Sequence, residues 1–232
     1  MLIAGIQKNS FIDFPGNISS VIFTGGCNFN CYYCHNRNII KANKLKVVYS
    51  PELVLAELKL KQKLLDGVVI SGGEPCLQSK LIDFMKKVKE ETSLKIKLDT
   101  NGSDPDSLQQ ALPYLDFVAM DIKAPKEKYS NITGVGIDIK RIQKSITIIK
   151  NSGIKNEFRT TFCPDLTKQD IIDIARWLKG SERYALQVYR KPEFNSYFYD
   201  KRLELEPHKL DYIKETFEEI KPYFETCLLH GV

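Results

Sequence analysis

Three cysteines, Cys27, Cys31 and Cys34, lie within eight residues of the chain. Thiolates at this C-x3-C-x2-C spacing can wrap around one corner of a cubane iron–sulfur cluster, bind three of its irons and leave the fourth without a protein ligand. An iron with an open position can bind a small molecule and pass an electron to it. The spacing therefore predicts a [4Fe-4S] site with redox chemistry.

The same residues leave two other interpretations open. A structural zinc ion could be bound by the three cysteines together with His35, although His35 directly follows Cys34 and zinc-ligand pairs usually lie two to four residues apart. A disulfide is less favoured, because three clustered cysteines leave one thiol unpaired and a reducing compartment disfavours the bond.

Further polar residues follow apolar runs elsewhere in the chain. Gly72-Gly73-Glu74-Pro75 comes after a β-branched run, where glycines allow close backbone approach and Glu74 offers an acceptor for an ammonium group. Asp99 and Asp121 end two later runs, and a buried carboxylate needs a companion such as Lys123 or a cation. Simple turns, caps and exposed ion pairs are the alternative interpretations of these positions.

Apolar runs alternate with helical stretches from about residue 20 onward, which predicts strands and helices in turn. The predicted strands span 19–26, 67–75, 94–100, 116–123, 156–162 and 183–190, and the predicted helices span 50–65, 78–91, 105–113, 139–153, 170–180 and 207–221. Such alternation predicts an α/β fold with a parallel sheet and outer helices. Six units predict an open, partial (βα)6 TIM-like barrel, a single domain over residues 1–232, with its ligand site at the carboxyl ends of the strands.

The chain has an ordinary globular composition and a formal net charge of +5. Its lysines, for example Lys86, Lys87 and Lys97, are mixed with carboxylates, which is typical of solvated faces and disfavours a nucleic-acid surface. We find neither an apolar run long enough to cross a bilayer nor the residue order of a signal peptide. We therefore expect a cytoplasmic protein without membrane contact or direct nucleic-acid binding.

The loop Cys27-x3-Cys31-x-Tyr33-Cys34 resembles the signature of the radical S-adenosylmethionine superfamily. The resemblance implies a [4Fe-4S] cluster on the three cysteines and S-adenosylmethionine at the open iron. It also implies reductive cleavage of that cofactor to methionine and a 5′-deoxyadenosyl radical, with Tyr33 near the adenine.

The segment Gly72, Gly73, Glu74 and Pro75 is similar to the GGEP motif of that superfamily. There the backbone and the carboxylate hold the methionine amino group, which implies the same role for the first three residues here.

Two further stretches resemble motifs of the glycyl-radical-enzyme activating group within the superfamily. They are Asp99-Thr100-Asn101-Gly102 and Asp121-x-Lys123. The resemblance implies that Asp99, Asn101, Asp121 and Lys123 bind the cofactor. It also associates the Asp99-Thr100 pair and Asp121 with a monovalent cation near the cofactor.

Two polar residues of later strands complete the set of candidates. Arg159 matches an arginine on the fifth strand of that group and could neutralise the cofactor carboxylate, with a salt bridge at the barrel rim as the alternative. Gln187 lies where it could reach the adenine or the substrate.

With Asp13-Phe14-Pro15-Gly16 and other stretches, the resemblance covers nearly the whole chain. It implies that the substrate is a glycyl radical enzyme, with anaerobic ribonucleoside-triphosphate reductase as the best match. The reaction would remove a glycine Cα hydrogen from that enzyme. An electron donor such as flavodoxin or ferredoxin is implied as well. Residues 37–71 lack cysteine, so we expect no auxiliary cluster, and we interpret Cys76, Cys163 and Cys227 as buried small hydrophobic residues.

Two alternative functions remain at this point. One is a radical S-adenosylmethionine enzyme that acts on a small molecule or on another peptide. The other is a binding module that holds zinc or an iron–sulfur cluster without catalysis.

Overall fold

The computed structural model describes residues 1–45, 48–192 and 199–232, and its central feature is an eight-stranded sheet. The strands are β1 (Ile3–Ser10), β2 (Ser19–Thr24), β3 (Gly67–Gly72), β4 (Lys95–Thr100), β5 (Phe117–Asp121), β6 (Lys155–Phe162), β7 (Arg183–Val188) and β8 (Thr226–His230). They are paired in chain order, β1 antiparallel to β2 and every other pair parallel. This confirms the predicted α/β fold with a parallel sheet.

Seven α-helices lie between the strands in the described part of the chain. They are α1 (Pro51–Lys61), α2 (Leu81–Glu91), α3 (Pro105–Ala111), α4 (Tyr129–Thr133), α5 (Ile139–Lys150), α6 (Lys168–Trp177) and α7 (Leu210–Ile220). In α2 the buried side chains are Leu81, Phe84, Met85 and Val88, whose spacing of three and four residues puts them on one face. That face packs on the sheet, so the helices form the outer layer.

The sequence analysis did not predict the first and the last strand. β1 carries both apolar and polar side chains, and β8 has only five residues, all of them partly or fully exposed. Both lie at the edges of the sheet, where one side of each strand is unpaired and the apolar pattern is weak. The predicted helix at 50–65 is also too long, because α1 ends at Lys61.

The concave side of the sheet has an apolar lower end. Phe14, from the loop between β1 and β2, packs there with Val21, Val69, Phe117 and Ala119. These residues come from the first half or the middle of their strands, so they fill the end of the barrel opposite the carboxyl ends. The candidate site residues lie at the other end, where the strands finish. None of the helices in the described residues is both long enough and apolar enough to span a bilayer.

Candidate functional site

The cysteine loop follows β2 and is held by backbone hydrogen bonds at its start. Gly26 N–H donates to the carbonyl of Ile39 at 2.7 Å, and Cys27 N–H donates to that of Ile40 at 3.1 Å. Further along, Cys34 N–H donates to the Cys31 carbonyl at 3.2 Å. These bonds curl the loop so that all three cysteines border one cleft, each as a free thiol.

The turn after β3 packs directly against the start of the cysteine loop. Gly73 N–H donates to the Thr24 carbonyl and Glu74 N–H to the Gly26 carbonyl, both at 2.9 Å. A Cβ atom on Gly73 would collide with the Gly26 carbonyl oxygen, and one on Gly72, whose φ is +114°, would collide with the backbone of Thr24. Both glycines are therefore required by this contact between two backbones.

Glu74 is fully buried and joins the ends of β3 and β4. Its carboxylate accepts hydrogen bonds from Cys76 N–H at 3.0 Å, the Thr100 hydroxyl at 2.7 Å and Asn101 N–H at 2.6 Å. Desolvation raises the pKa of Glu74, and the three donors act in the opposite direction. The carboxylate thus fixes the turn in position, and its predicted contact with the cofactor ammonium stays a prediction.

Asn101 connects the end of β4 to the cysteine loop. Its amide nitrogen donates to Asn28 Oδ1 at 3.0 Å and lies 3.9 Å from Cys27 Sγ, while its amide oxygen accepts from Ser103 N–H at 2.9 Å. The side chain is held at both ends, so it orients the first cysteine of the loop.

Asp121, at the end of β5, is bound on both of its oxygens. Oδ1 accepts from Arg159 Nε at 2.8 Å and Oδ2 from Lys123 Nζ at 2.9 Å. Although burial acts to raise it, these two cations hold the pKa of Asp121 below its ordinary value. Asp121 in turn holds the pKa of Lys123 above its ordinary value despite desolvation. All three groups are therefore charged at neutral pH.

Asp99, the penultimate residue of β4, belongs to the same charged group. Its Oδ1 lies 3.6 Å from Arg159 Nη1 and also pairs with Lys97 Nζ. The assignment of Lys97 to a solvated face was wrong, because this side chain is only 2% exposed. Three cationic side chains face two carboxylates here, an arrangement that does not fit an additional monovalent cation.

These residues converge on one cleft of about 400 Å³, within the usual range for small-molecule sites. Every candidate site residue from the sequence lines it: Cys27, Cys31, Tyr33, Cys34, Gly72, Gly73, Glu74, Asp99, Asn101, Asp121, Lys123, Arg159 and Gln187. Tyr33 is buried with its ring against that of Tyr32, 5.2 Å between centroids, and Gln187 Oε1 accepts from the Thr161 hydroxyl at 3.4 Å.

The sequence analysis missed several residues of the cleft wall. Thr161, Arg190 and His230 also line it. Thr161 could have been found from strand alternation, since it lies two residues after Arg159 on β6 and so shares its face. His230 could not, because β8 was not predicted.

The three cysteines are the kind of ligand that holds an iron–sulfur cluster. Within the described residues, no three histidine, cysteine or acidic side chains are arranged around one metal-ion position, so the geometry gives no support to the zinc interpretation with His35. Burial raises the pKa of the Cys27 thiol to about 12. A thiolate here needs a metal to stabilise it, as a cluster iron would.

Comparison with known proteins agrees with this site. The family model of the Radical SAM superfamily matches residues 21–178. A Methanocaldococcus jannaschii protein provisionally named a glycyl-radical enzyme activating enzyme is 31% identical over 239 residues, 100% of this chain and 96% of the relative. The pyruvate formate-lyase-activating enzyme of Clostridium pasteurianum is 32% identical over 206 residues, 84% of each chain.

The fold also occurs in a solved structure of similar length. The crystal structure of QueE from Escherichia coli matches with a TM-score of 0.55 and 17% sequence identity, over 100% of this chain and 94% of that one. The family match covers more than half of the chain and includes the cysteine loop. The chain belongs to the radical S-adenosylmethionine superfamily and groups with the activating enzymes of glycyl-radical enzymes.

Proposed function

We propose that this enzyme removes one Cα hydrogen from a glycine of a partner enzyme. The observation that carries the proposal is the convergence of three free cysteine thiols with Asp121, Lys123 and other motif residues on a single cleft. When bound there, a reduced [4Fe-4S] cluster and S-adenosylmethionine supply a 5′-deoxyadenosyl radical and methionine. In the net reaction one electron and one S-adenosylmethionine would be consumed, methionine and 5′-deoxyadenosine would form, and the glycine would lose one Cα hydrogen atom to the 5′ carbon.

The residues of the cleft would have different roles in binding the cofactor. Cys27, Cys31 and Cys34 would hold the cluster. The cationic side chains of Arg159 and Lys123 favour the carboxylate of the methionine part, because together with Lys97 they bring three positive charges against the two negative charges of Asp99 and Asp121. Such a carboxylate would gain charge-assisted hydrogen bonds in a partly buried site.

The other wall of the cleft suits the nucleoside part. The buried ring of Tyr33 offers an apolar face, and Gln187 on β7 offers an amide that can donate and accept hydrogen bonds. We assign the adenine to this side. Tight packing of Tyr33 against Tyr32 would also keep water away from the reacting carbon.

We take the substrate to be a glycyl radical enzyme, and specifically an anaerobic ribonucleoside-triphosphate reductase. Glycine suits hydrogen removal because no side chain blocks its Cα. Within the described residues β1 and β8 do not pair, so the sheet leaves a gap through which a peptide loop could enter. Electrons would come from a donor such as flavodoxin or ferredoxin.

Electron paramagnetic resonance of the reductase tests this proposal. The anaerobically reconstituted enzyme, a reductant and S-adenosylmethionine should together produce the glycyl doublet in the reductase. Replacing the target glycine of the reductase by alanine should abolish the doublet. Formation of 5′-deoxyadenosine without any doublet would reject this partner and favour a small-molecule or other peptide substrate.

A further inference from the structure

Lys97 is a buried lysine to which no matched motif assigns a role. It lies on β4 two residues before Asp99, so both side chains leave the same face of the strand. Its side chain is 2% exposed, its ammonium pairs with Asp99 Oδ1, and it lies 5.9 Å from the ring centre of Phe117. Lys97 does not line the cleft, whereas Asp99 does, so Lys97 contacts Asp99 from the side away from the cleft. Burying an ammonium costs free energy unless an opposite charge pairs with it. Asp99 provides that charge, so the ion pair is a structural part of the site.

Lys97 is one end of a continuous row of alternating charges. Asp99 Oδ1 lies 3.6 Å from Arg159 Nη1, Arg159 Nε lies 2.8 Å from Asp121 Oδ1, and Asp121 Oδ2 lies 2.9 Å from Lys123 Nζ. The row begins and ends with a lysine and spans β4, β5 and β6. Its three cations and two carboxylates leave one net positive charge.

This row occupies the place where the family resemblance implies a monovalent cation. Both oxygens of Asp121 and Oδ1 of Asp99 already bind cationic side chains. A further cation would have to displace one of these donors or enter a group that is already net positive. Without Lys97 the same row would hold two cations and two carboxylates and would be neutral.

We propose that the Lys97 ammonium takes the place of a bound monovalent cation in this enzyme. It holds the Asp99 carboxylate beside the cleft, and cofactor binding requires neither Na⁺ nor K⁺. Lys97 is a positioning residue, since it acts through Asp99. The inference rests on the proposed function in one respect, namely that S-adenosylmethionine is the ligand of the cleft.

The first test uses the unmodified enzyme, reconstituted anaerobically with its cluster. Binding of S-adenosylmethionine is measured by isothermal titration calorimetry with the cluster oxidised, so that the cofactor is not cleaved, in NaCl, KCl or tetramethylammonium chloride at equal ionic strength. The dissociation constant should agree within about twofold in the three salts. Weakening by about fivefold or more in tetramethylammonium chloride would overturn the proposal.

The second test removes the ammonium with Lys97→Met, which keeps most of the length of the side chain. In tetramethylammonium chloride this variant should bind the cofactor about fivefold or more weakly, and Na⁺ or K⁺ should restore part of the loss. Lys95→Met is the matched control, because Lys95 lies on the same strand but is exposed and bonds to Asn17. It should behave like the unmodified enzyme in every salt.

Two outcomes of the second test would contradict the proposal. One is that Lys97→Met binds the cofactor with unchanged affinity in all salts. The other is a loss of affinity that neither Na⁺ nor K⁺ restores. If Lys97→Met does not fold, Lys97→Arg keeps the charge and should bind without salt preference. A failure of the unmodified enzyme to bind the cofactor in any salt would count against the proposed function, whereas salt-dependent binding counts only against the role of Lys97.

Discussion

At the scale of single residues, Asp121 forms two charged contacts at the cleft, one with Arg159 and one with Lys123. We expect Asp121→Asn to lower the free energy of unfolding of the cluster-free protein by about 2–3 kcal/mol, because hydrogen bonds between charged groups contribute roughly 1.5–3 kcal/mol each and two are affected. Urea unfolding measures this. Asp83→Asn is the control, since Asp83 forms an exposed pair with Lys80 and should change stability by less than about 1 kcal/mol. Equal effects of the two substitutions would contradict the assignment.

The same residue predicts a dependence on pH. The pKa of Asp121 is lower in the folded protein than its ordinary value of 3.8, so its stabilising contribution is complete above that value and is lost as the pH falls through the folded-state pKa. The difference in unfolding free energy between the unmodified protein and Asp121→Asn should therefore shrink as the pH is lowered from about 7 towards about 3. A difference that stays constant or grows would show that Asp121 is not held in its charged form.

Sequence motifs predicted the polar residues of the cleft, but they did not predict the partner of Asp99. Alternation along β4 places Lys95, Lys97 and Asp99 on one face, with Ile96 and Leu98 on the other. In a sheet with one solvent-exposed face, the charged side chains would lie on that face. Here the charged side faces the interior of the barrel, where Lys95 is exposed at the lower end, Asp99 borders the cleft and Lys97 between them is buried. Burial of Lys97 therefore depends on the curvature of the whole sheet.

At the scale of elements, the contact between the β3 turn and the cysteine loop should control cluster assembly. Gly73→Ala places a methyl group against the Gly26 carbonyl and 3.3 Å from Cys27 N. The loop must shift, so we expect the reconstituted variant to hold much less iron and sulfide per chain. Gly136→Ala is the matched control, because nothing lies within 4 Å of its added Cβ. Full iron content in Gly73→Ala would show that this contact does not position the cysteines.

The loop between β1 and β2 contributes Phe14 to the apolar plug at the lower end of the barrel, which is the cluster that this residue forms with Val21, Val69, Phe117 and Ala119. Phe14 is 3% exposed, and its ring centroid lies 6.1 Å from that of Phe117. Phe14→Ala should lower the free energy of unfolding by about 3–5 kcal/mol, because it leaves a cavity. Phe11→Ala, in the same loop, should change it by less than about 0.5 kcal/mol, since Phe11 is 75% exposed. Chemical unfolding of the two variants distinguishes them, and similar losses would contradict the role of the plug.

Sequence patterns predicted the six inner parallel strands because their buried apolar runs are followed by glycine or polar residues. They did not predict β1 and β8, whose side chains lack that pattern. The two edge strands extend the sheet on both sides and bring His230 to the cleft. The pairing that creates them depends on contacts between residues far apart in the chain, which a local pattern does not contain.

At the scale of the whole molecule, one arrangement connects fold and chemistry. Parallel strands end at the same edge of the sheet, so motifs from β2 to β7 that are far apart in sequence line one cleft. The alternation of strands and helices was enough to predict this convergence. The six units also predicted that the barrel is open. The size of the cleft, the row of charges along it and the two strands that border the opening, β1 and β8, depend on three-dimensional packing and were not predictable.

The central claim is that three cysteines hold a cluster that cleaves S-adenosylmethionine, and product analysis tests it most directly. The anaerobically reconstituted enzyme, with reductant and S-adenosylmethionine, should form 5′-deoxyadenosine and methionine in equal amounts. Cys31→Ala should form neither, while Cys227→Ala, whose cysteine lies on β8 and does not line the cleft, should retain activity. No 5′-deoxyadenosine from a fully loaded, reduced enzyme, or normal formation by Cys31→Ala, would contradict the account.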